Sequence, residues 1–482
     1  MMNVLLTGAT GYIGRRLKVR LLGDKNVRLR LLVRNADKVR ASTRSRVEVI
    51  EGSTFDKDSL SRVLQGIDTA YYLIHSMGAK GNFEELDRLS ANNFLEACIA
   101  ARVKRIIYLG GLGRKETASR HLLSRLETGE ILSRRPEDIQ TIWFRAGIII
   151  GSGSASFEII RNLVQKLPLI VTPRWVRTKT QPIAVGDVLD YLFLAKDIDA
   201  KENLVVDIGS EQMSFKHMLE RAARVMGLRR RLIPVPVLSP QLSSYWLILF
   251  TPVSYRIAKA LVEGLKSETV IQNDNAAKYF PGISPLSYEK AVEAALAEIE
   301  SSQVISRWCD SSAGQACDIK GLDQIDKAVL TDRKVFGFEN IRAERVFDSV
   351  QSLGGETGWL KYNWLWKLRG LMDKILGGPG LNRGRRDRDE LRIGDSLDFW
   401  KVVDVKRGKR LLLLSQMKLP GKAWLEFSIG DRVLIQTAYF LPRGLAGRLY
   451  WTLVKPFHFF AFKGLARGII NRAKEKSRTG NS

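Results

Sequence analysis

The 482-residue sequence has little of what disulfides, metal sites and membrane spans require. Its three cysteines, Cys98, Cys309 and Cys317, form no CxxC pair, which excludes a disulfide framework and favours a reducing compartment. Its four histidines are scattered, so we expect no metal site. No run reaches the roughly 18 apolar residues of a spanning helix, and the N-terminus is not a signal peptide, so we expect a cytoplasmic protein.

Acidic residues are scarce relative to basic ones: 77 basic residues against 51 acidic residues leave a net charge of +26. Such a chain is attracted to anionic surfaces, whether lipid or nucleic acid. The basic residues are spread along the chain, however, and a solvated protein surface explains them equally well. No helix-turn-helix, zinc or RNA-binding signature is present, so we expect no nucleic-acid partner.

The chain begins with NVLLTGATGYIGRRL, in which a short apolar strand is followed by three glycines and a helix. Gly8 permits a tight turn, Gly11 lets the backbone approach a pyrophosphate, and Gly14 allows the helix to pack closely on the strand. A phosphate at the helix N-terminus is stabilised by free N–H groups and by the helix dipole. The pattern predicts a dinucleotide-binding loop.

Arg34 ends the second strand, VRLRLLVRN. A carboxylate at this position binds the ribose 2′-hydroxyl of NAD(H), whereas an arginine suits the 2′-phosphate of NADP(H). We therefore favour NADP(H) over NAD(H), although a solvent-exposed charge at a strand end is the alternative. Further strand-like runs (VEVIEG, DTAYYLIHSM, KRIIYLGGLG and TIWFRAGIIIG) alternate with helices, which predicts a Rossmann-type α/β fold with helices on both faces of a parallel sheet.

The segments TGATGYIG, VRN, IHSM, RIIYLGGLG and FRAGIIIGSGSASFE together resemble an atypical short-chain dehydrogenase/reductase of the nitrogen-metabolite-repressor-like group. The resemblance covers residues 1 to about 300, with a substrate lobe at about 181–300. One departure is Ser53, where relatives often carry an Asp that contacts the adenine. The resemblance implies that NAD(P) is bound by these residues: Thr7, Gly8, Gly11, Tyr12, Ile13, Gly14, Arg34, Ser53, Thr54, Ile74, His75 and Arg145.

Reductases of this superfamily carry Tyr-x-x-x-Lys on the helix after the YLGG-like strand, where the pair exchanges a proton with a carbonyl or alcohol. Here His121 stands at the Tyr position and Arg125 at the Lys position, still on one helix face. His121 can act as an acid near neutral pH, whereas Arg125 can bind a ribose or phosphate but cannot act as a base. We interpret the segment as a lost acid–base pair on an ordinary helix surface. Tyr108 and His75 are further candidates at the same crevice.

The pattern changes after residue 300. Residues 301–330 are expected to be a linker, residues 331–475 an α+β domain with an antiparallel sheet and a long closing helix, and residues 476–482 a disordered tail. The segments MKLPGKAWLEF, PRGLAGRLYW and GGPGLNRGRRD resemble an uncharacterised START/polyketide-cyclase-like domain that is often fused behind this type of reductase. The resemblance implies a helix-grip fold with a hydrophobic cavity between the sheet and the last helix.

Two features of this second domain, its aromatic residues and a glycine-rich basic loop, bear on ligand binding. Its many aromatic residues line either a ligand pocket or, as we favour, the core: Trp359, Tyr362, Trp364, Trp366, Trp400, Trp424, Tyr450 and Trp451. The loop GGPGLNRGRRDRDELR, from Gly377, suits a phosphate or carboxylate, or is an internally paired turn.

The closing helix carries basic residues on one face: Arg448, Lys455, Lys463, Arg467 and Lys474. Apolar residues lie on another face: Leu449, Leu453, Phe457, Phe460 and Leu465. Such a helix either lies on the inner face of an anionic membrane or, as we favour, packs its apolar side on the sheet.

Three functions fit these observations. The first is an NADP-dependent oxidoreductase that acts on a hydrophobic small molecule. The second is a non-catalytic dinucleotide-binding sensor, assembly factor or scaffold, for which the missing Tyr and Lys argue. The third is a lipid-binding protein peripheral to the membrane.

Overall fold

The computed structural model describes residues 1–36, 39, 41–75, 82–235, 261–300, 328–339, 341–361, 363–375, 391, 393 and 395–479. The chain divides into two units, Met1–Cys317 and Asp318–Ser482. Tyr362, the loop from Gly377, most of the expected linker and residues 480–482 lie outside the described residues.

Seven parallel strands form the central sheet of the first unit, in the order β11-β6-β5-β4-β1-β2-β3. Numbered in chain order, they are β1 (Met2–Thr7), β2 (Val27–Val33), β3 (Glu48–Glu51), β4 (Thr69–Tyr72), β5 (Arg105–Gly111), β6 (Gln140–Ala146) and β11 (Leu204–Ile208). The strand order reverses between β1 and β4, and ligands of such sheets bind at this switch point, outside the carboxyl ends of the strands. The predicted Rossmann-type sheet is confirmed.

Helices cover both faces of this sheet: α1 (Tyr12–Gly23), α2 (Ala41–Arg44), α3 (Lys57–Leu64), α4 (Phe83–Ala100), α5 (Arg120–Leu132) and α7 (Val185–Leu194). Because successive side chains of a strand point to opposite faces, β1 contributes to two cores. Val4 and Leu6 pack in the core that contains Leu17 of α1. Leu5 packs in the other core, together with Phe94 of α4.

A third core, from Ile150 to Ala295, holds most of the remaining elements of the first unit together, while the helix Asn275–Tyr279 packs on the core that contains α1. Three two-stranded pairs belong to this region: β7 with β10, β8 with β13 and β9 with β12. The elements are β7 (Ile149–Ile150), α6 (Ala155–Lys166), β8 (Leu169–Pro173), β9 (Lys179–Thr180), β10 (Ile183–Ala184), β12 (Met213–Ser214), α8 (Phe215–Val225), β13 (Arg231–Val235), α9 (Asn275–Tyr279) and α10 (Tyr288–Glu300).

The second unit is built on an antiparallel sheet, as predicted, in the order β14-β19-β18-β17-β16-β15. Its elements are β14 (Leu330–Gly337), α11 (Ala343–Gln351), α12 (Asn363–Ile375), β15 (Ser396–Leu397), β16 (Trp400–Lys406), β17 (Arg410–Ser415), β18 (Gly421–Gly430), β19 (Val433–Pro442) and α13 (Gly444–Thr479). Helix α13 extends past residue 475, the expected end of the domain. Over the described residues, no helix has the length and apolar character needed to cross a bilayer.

The aromatic residues of the second unit lie mainly in its core, as we favoured. Trp359, Trp400, Trp424 and Trp451 are buried, while Trp364 is exposed and Trp366 and Tyr450 are half-buried.

The expectation for α13 is wrong for four of its five apolar residues. Only Leu465 is buried; the others are exposed: Leu449, Leu453, Phe457 and Phe460. A helix presents one face to a sheet, and in α13 that face is formed by a different set of side chains, which includes Trp451 and Ile469.

Candidate functional site

The glycine loop lies at the switch point, and its close contacts require glycine at two positions. Gly8 has φ +67°, and a Cβ atom on it would lie 2.2 Å from the carbonyl oxygen of Leu73. A Cβ atom on Gly14 would lie 2.2 Å from the carbonyl oxygen of Gly8. The Gly11 N–H donates to the same Gly8 oxygen at 2.9 Å, which closes the turn. The loop therefore has the geometry of a cradle for the backbone-bound pyrophosphate.

Thr7 joins the two strands that flank the switch point. Its hydroxyl donates to the Tyr71 carbonyl oxygen at 2.8 Å and accepts from the Leu73 N–H at 3.2 Å. The side chain is buried, so its role is to hold β1 and β4 together beneath the loop. Helix α1 begins immediately after Gly11, and no side chain caps it. Its first amides are therefore placed to donate to an anion.

Tyr12 and Ile13, in the first turn of α1, are half-buried. The Tyr12 hydroxyl donates to the Ser152 carbonyl oxygen at 3.1 Å. Burial raises the pKa of Tyr12, so its hydroxyl stays protonated. Ile13 packs against the core that contains α1. Both residues anchor the helix whose N-terminus faces the crevice.

Arg34, Ser53 and Thr54 follow the carboxyl ends of β2 and β3. Arg34 is exposed, beside the strand that leads into the glycine loop. Ser53 is half-buried, and its hydroxyl accepts from the Phe55 N–H at 3.3 Å. The Thr54 hydroxyl is buried and lies 2.6 Å from the hydroxyl of Ser90 in α4. The side chain of Thr54 therefore joins the loop to α4, and Arg34 is the member of this group that faces solvent.

His75, after β4, forms a pair with His121 of α5. Their Nε2 atoms are 2.7 Å apart, and the rings meet edge to face at 4.6 Å between centroids. Behind His75, its Nδ1 atom is 3.7 Å from Oδ2 of Asp87, which is buried in α4. The Ser124 hydroxyl donates to the same carboxylate oxygen at 2.9 Å. A carboxylate and two imidazoles thus form a chain. Ile74 is half-buried and packs on the core beneath it.

Burial and the nearby guanidinium of Arg125 favour the neutral form of this pair. Burial lowers the pKa of His75, and the Arg125 guanidinium lowers it further, while the Asp87 carboxylate opposes both effects. The pKa of His121 is held well below its usual range by burial, by His75 and by Arg125. His121 is therefore not the ordinary surface residue that we expected, because it is half-buried and hydrogen-bonded to a second histidine.

Arg125 and Tyr108 fasten α5 to β5. The Arg125 guanidinium donates to the Leu109 carbonyl oxygen at 2.9 Å, and the Tyr108 hydroxyl donates to the Arg125 carbonyl oxygen at 2.9 Å. Burial raises the pKa of Tyr108 to about 12. The expectation that Tyr108 faces the crevice is wrong, because the side chain is buried in the core beneath α5.

Arg145 is engaged by an internal carboxylate. Its guanidinium donates twice to Asp207 on the neighbouring strand, at 2.6 and 2.9 Å. Asp207 is fully buried and also accepts from the Gln272 N–H at 2.7 Å. Arg145 thus joins β6 to β11, and the backbone that follows it, at Ala146 and Gly147, lines the cavity described next.

A cavity of about 290 Å³ opens beside the glycine loop and α5. The polar residues of its lining include Tyr12, His121, Arg125 and Ser154. The rest of the lining is mostly apolar, and includes Ile148, Ile159, Leu163, Ile170, Phe215 and Leu219. The structure therefore brings His121 and Arg125 together in the lining of a mostly apolar cavity. A cavity of this size, with few polar groups, is typical of small-molecule sites.

Sequence reasoning missed Asp87. The buried positions of α4 include Asp87, Ser90, Ala91 and Phe94, with helical spacings of three, four and seven from the first. An acidic residue within an otherwise apolar or small stripe is a signal of a buried, partnered carboxylate. The cavity-lining residues of α6 and α8 carry no comparable signal, because the sequences of these two helices have the pattern of ordinary amphipathic helices.

Comparison with family models assigns each unit separately. A model described as NAD(P)H-binding matches residues 8–135, and a model described as a protein of unknown function matches residues 324–465. Residues 8–135, which carry the glycine loop and strands β2 to β5 of the Rossmann-type sheet, therefore match an NAD(P)H-binding family model.

Individual proteins are also similar to part of this chain. A ceramide reductase from Caulobacter vibrioides (strain NA1000 / CB15N) is 27% identical over 242 residues, covering 48% of this chain and 73% of the reductase. The triphenylmethane reductase of Citrobacter sp. superposes with a TM-score of 0.50 and 20% identity, covering 61% of this chain and 100% of that one. The same reductase complexed with NADP(H) gives a TM-score of 0.48 at 20% identity, with the same coverage.

Proposed function

We propose that the protein is an NADP(H)-dependent oxidoreductase that acts on a hydrophobic carbonyl compound or the corresponding alcohol. The observation that carries the proposal is the apolar cavity that meets His121 beside the glycine loop. The Asp87 carboxylate, His75 and His121 form a chain that ends at this cavity. A proton source and a hydrophobic binding space thus share one wall of the nucleotide-binding crevice.

The cofactor is held mainly by backbone. The glycine turn admits no side chain at Gly8 or Gly14, which fits a pyrophosphate in close contact with the loop. Arg34 is exposed at the end of β2, where it can pair with a ribose 2′-phosphate, and this favours NADP(H). When bound, the nicotinamide supplies or accepts the hydride. We propose that Arg125, which lines the cavity, contacts the nicotinamide ribose.

The substrate class follows from the cavity and from a relative. The apolar lining favours a hydrophobic molecule over a sugar or a charged metabolite. The similar Caulobacter protein is named for the reduction of ceramide, a lipid. We therefore propose a lipid-like substrate whose carbonyl group lies against His121 and whose apolar part lies against α6 and α8.

Proton transfer to the substrate uses the histidine chain. His121 uses Nε2 to contact His75, so Nδ1 is the atom through which it reaches the substrate oxygen. In the protonated pair, His75 is an imidazolium that faces Asp87 through Nδ1 and donates through Nε2 to His121.

The atoms balance over one reduction. The carbonyl carbon receives the hydride, and the C=O bonding pair moves to oxygen. His121 gives its Nδ1 proton to that oxygen and takes the Nε2 proton of His75. Both histidines end neutral, and the substrate becomes an alcohol. The pair is recharged by one proton from solvent.

We infer that the second unit adopts a START-like helix-grip fold and binds a hydrophobic ligand of its own. One strand, two helices, an antiparallel run of strands and a long closing helix follow one another in the order of that fold. Side chains of α13 pack on the inner face of the sheet within one core.

Turnover of NADPH with a panel of hydrophobic ketones, including an oxidised ceramide, tests the proposal. We expect His121→Ala to lower kcat about 100-fold or more, because a general acid contributes this much, while the Kd for NADPH stays near wild type. His75→Asn should lower kcat as well and change its pH profile. His217→Ala, an exposed histidine on α8, is the matched control and should match wild type.

Unchanged turnover in His121→Ala would remove this residue from the mechanism. Tight NADPH binding with no turnover of any panel member would favour the non-catalytic sensor, assembly factor or scaffold instead.

A further inference from the structure

The first half of α13 exposes a continuous row of large apolar side chains. Leu445, Leu449 and Leu453 are 83%, 61% and 63% exposed, and Phe457 and Phe460 continue the row at 62% and 63%. Their spacing of four, four, four and three residues places them on one side of the helix. Five such side chains in one row exceed the scattered exposed apolar residues that are normal on a protein surface.

A second helix of the same unit carries a similar row. On α12, four exposed residues share one side: Trp364, Leu368, Leu371 and Met372. The two helices touch, because the Arg369 guanidinium on α12 donates to the Tyr450 hydroxyl on α13 and lies 5.2 Å from the centre of its ring. The two helices that carry the rows therefore form one region of the second unit.

Up to residue 474, the charged residues of the long helix α13 are all basic. The sequence contains no Asp or Glu from residue 432 to residue 474. Arg448, Lys455, Lys463 and Arg467 are exposed on α13, among or beside the apolar residues. The Lys463 ammonium lies 5.7 Å from the centre of the Phe459 ring, which is itself exposed. Apolar residues flanked only by cations are the composition of helices that lie in the interface of an anionic membrane.

We propose that α13 docks the protein on the surface of an anionic lipid bilayer, with its exposed row inserted among the acyl chains and its basic residues against the headgroups. The proposal rests on the second unit alone and does not depend on the redox chemistry of the first.

Charge argues for lipid over a second copy of the chain. A symmetric dimer through the first half of α13 would bring two sets of basic residues together, with no acidic residue between positions 444 and 474 of either helix to offset them. An anionic bilayer offers the opposite charge together with an apolar interior. Each basic residue near such a surface strengthens binding by about fivefold.

Sedimentation with vesicles tests the proposal. The full-length protein is mixed at low salt with vesicles of phosphatidylcholine alone or of phosphatidylcholine with phosphatidylglycerol. We expect it to sediment with the anionic vesicles and to be released as NaCl is raised, because salt screens the headgroup contacts. The double variant Leu453→Glu/Phe457→Glu should lose binding by at least about tenfold, because each Glu places a charge in the apolar row.

The matched control is Val19→Glu/Leu194→Glu, which adds the same two charges at exposed apolar positions of α1 and α7. It lowers the net charge equally, from +26 to +24 (77 basic minus 53 acidic), and should bind like wild type. Circular dichroism verifies that both variants fold.

Three outcomes would overturn the proposal. The wild type could remain unbound with anionic vesicles at low salt, or the α13 variant and the control could bind equally. Light scattering without lipid could also show a wild-type dimer that the α13 variant abolishes, which would make the row a contact between copies.

Discussion

At the scale of single residues, the candidate nucleotide site depends on two glycines that leave space for the backbone and on one exposed arginine. Gly8 and Gly14 are required because backbone atoms occupy the space that their side chains would need. Thr7 and Thr54 act in the opposite way, since their buried hydroxyls hold strand ends and helices in place. Arg34 differs from all four because its side chain is exposed at the crevice edge, which makes it the residue whose replacement best separates cofactor choice from folding.

Replacing Arg34 tests the cofactor preference. We expect Arg34→Ala to weaken NADPH binding about 10- to 100-fold, because a charge-assisted hydrogen bond to the 2′-phosphate contributes about 1.5–3 kcal/mol. NADH binding should change little, since NADH has no such phosphate. Arg28→Ala, at the other end of β2 and also exposed, removes the same charge and should affect neither cofactor. Fluorescence titration measures all four affinities. Equal losses for both cofactors in Arg34→Ala would contradict the assignment.

At the scale of secondary-structure elements, the candidate catalytic chain is assembled from three of them. The end of β4 contributes His75, α4 contributes Asp87, and α5 contributes His121 and Arg125. Helix α5 is held to β5 by two hydrogen bonds through its Arg125, so the position of His121 depends on this docking. The pKa values of the histidine pair therefore report how well α4 and α5 are placed.

The pH dependence of reduction follows from these pKa directions. In the proposed mechanism reduction needs the protonated pair, and the pKa of each histidine is lowered in the folded protein. We therefore expect kcat/KM for reduction to be highest at acidic pH and to fall as pH rises through a value below about 6.5, the ordinary pKa of histidine. Oxidation of the alcohol needs the neutral pair and should rise over the same range.

We expect Asp87 to set the pH at which kcat/KM for reduction falls. Its carboxylate raises the pKa of His75, so Asp87→Asn should move the fall to lower pH. Glu85→Gln, exposed on the same helix, removes one negative charge without touching the pair and should leave the profile unchanged. A profile in Asp87→Asn that coincides with wild type would show that the carboxylate does not tune the histidines during catalysis.

At the scale of the whole molecule, two units carry separate hydrophobic cores. The first combines a parallel sheet with cores on both faces and a third core around the cavity. The second has one core between its antiparallel sheet and helices. Because the nucleotide loop belongs to the first unit alone, the stabilisation by cofactor should appear there.

Scanning calorimetry with and without NADPH measures this stabilisation. At about 100 times its Kd, NADPH should stabilise the first unit by about 2.7 kcal/mol and raise its unfolding transition. Phe427→Ala, a fully buried residue of the second core, should lower the other transition through a loss of about 3–5 kcal/mol. Gly8→Ala should abolish the NADPH shift. If calorimetry showed a single unfolding transition that NADPH raised and Phe427→Ala lowered, the two units would unfold together.

Local patterns in the sequence were enough to predict much of this protein. The glycine turn needs only neighbours in the chain, and alternating strands and helices admit few ways to bury their apolar faces, so the parallel sheet and the later antiparallel sheet were both predictable. The i, i+4 spacing likewise placed His121 and Arg125 on one side of a helix.

Only the tertiary structure decided which side chains meet across distant elements. Residues 75, 87 and 121 lie on separate elements, so their contact depends on how α4 and α5 pack. Arg145 is predicted to contact the cofactor, and the register of β6 and β11 in addition pairs it with Asp207. The face of α13 that meets the sheet was also undetermined, because both faces of its first half carry large apolar residues, and packing buried Trp451 while it left Leu449 and Phe457 in water. Such choices depend on shape complementarity between elements, which periodicity along one chain does not encode.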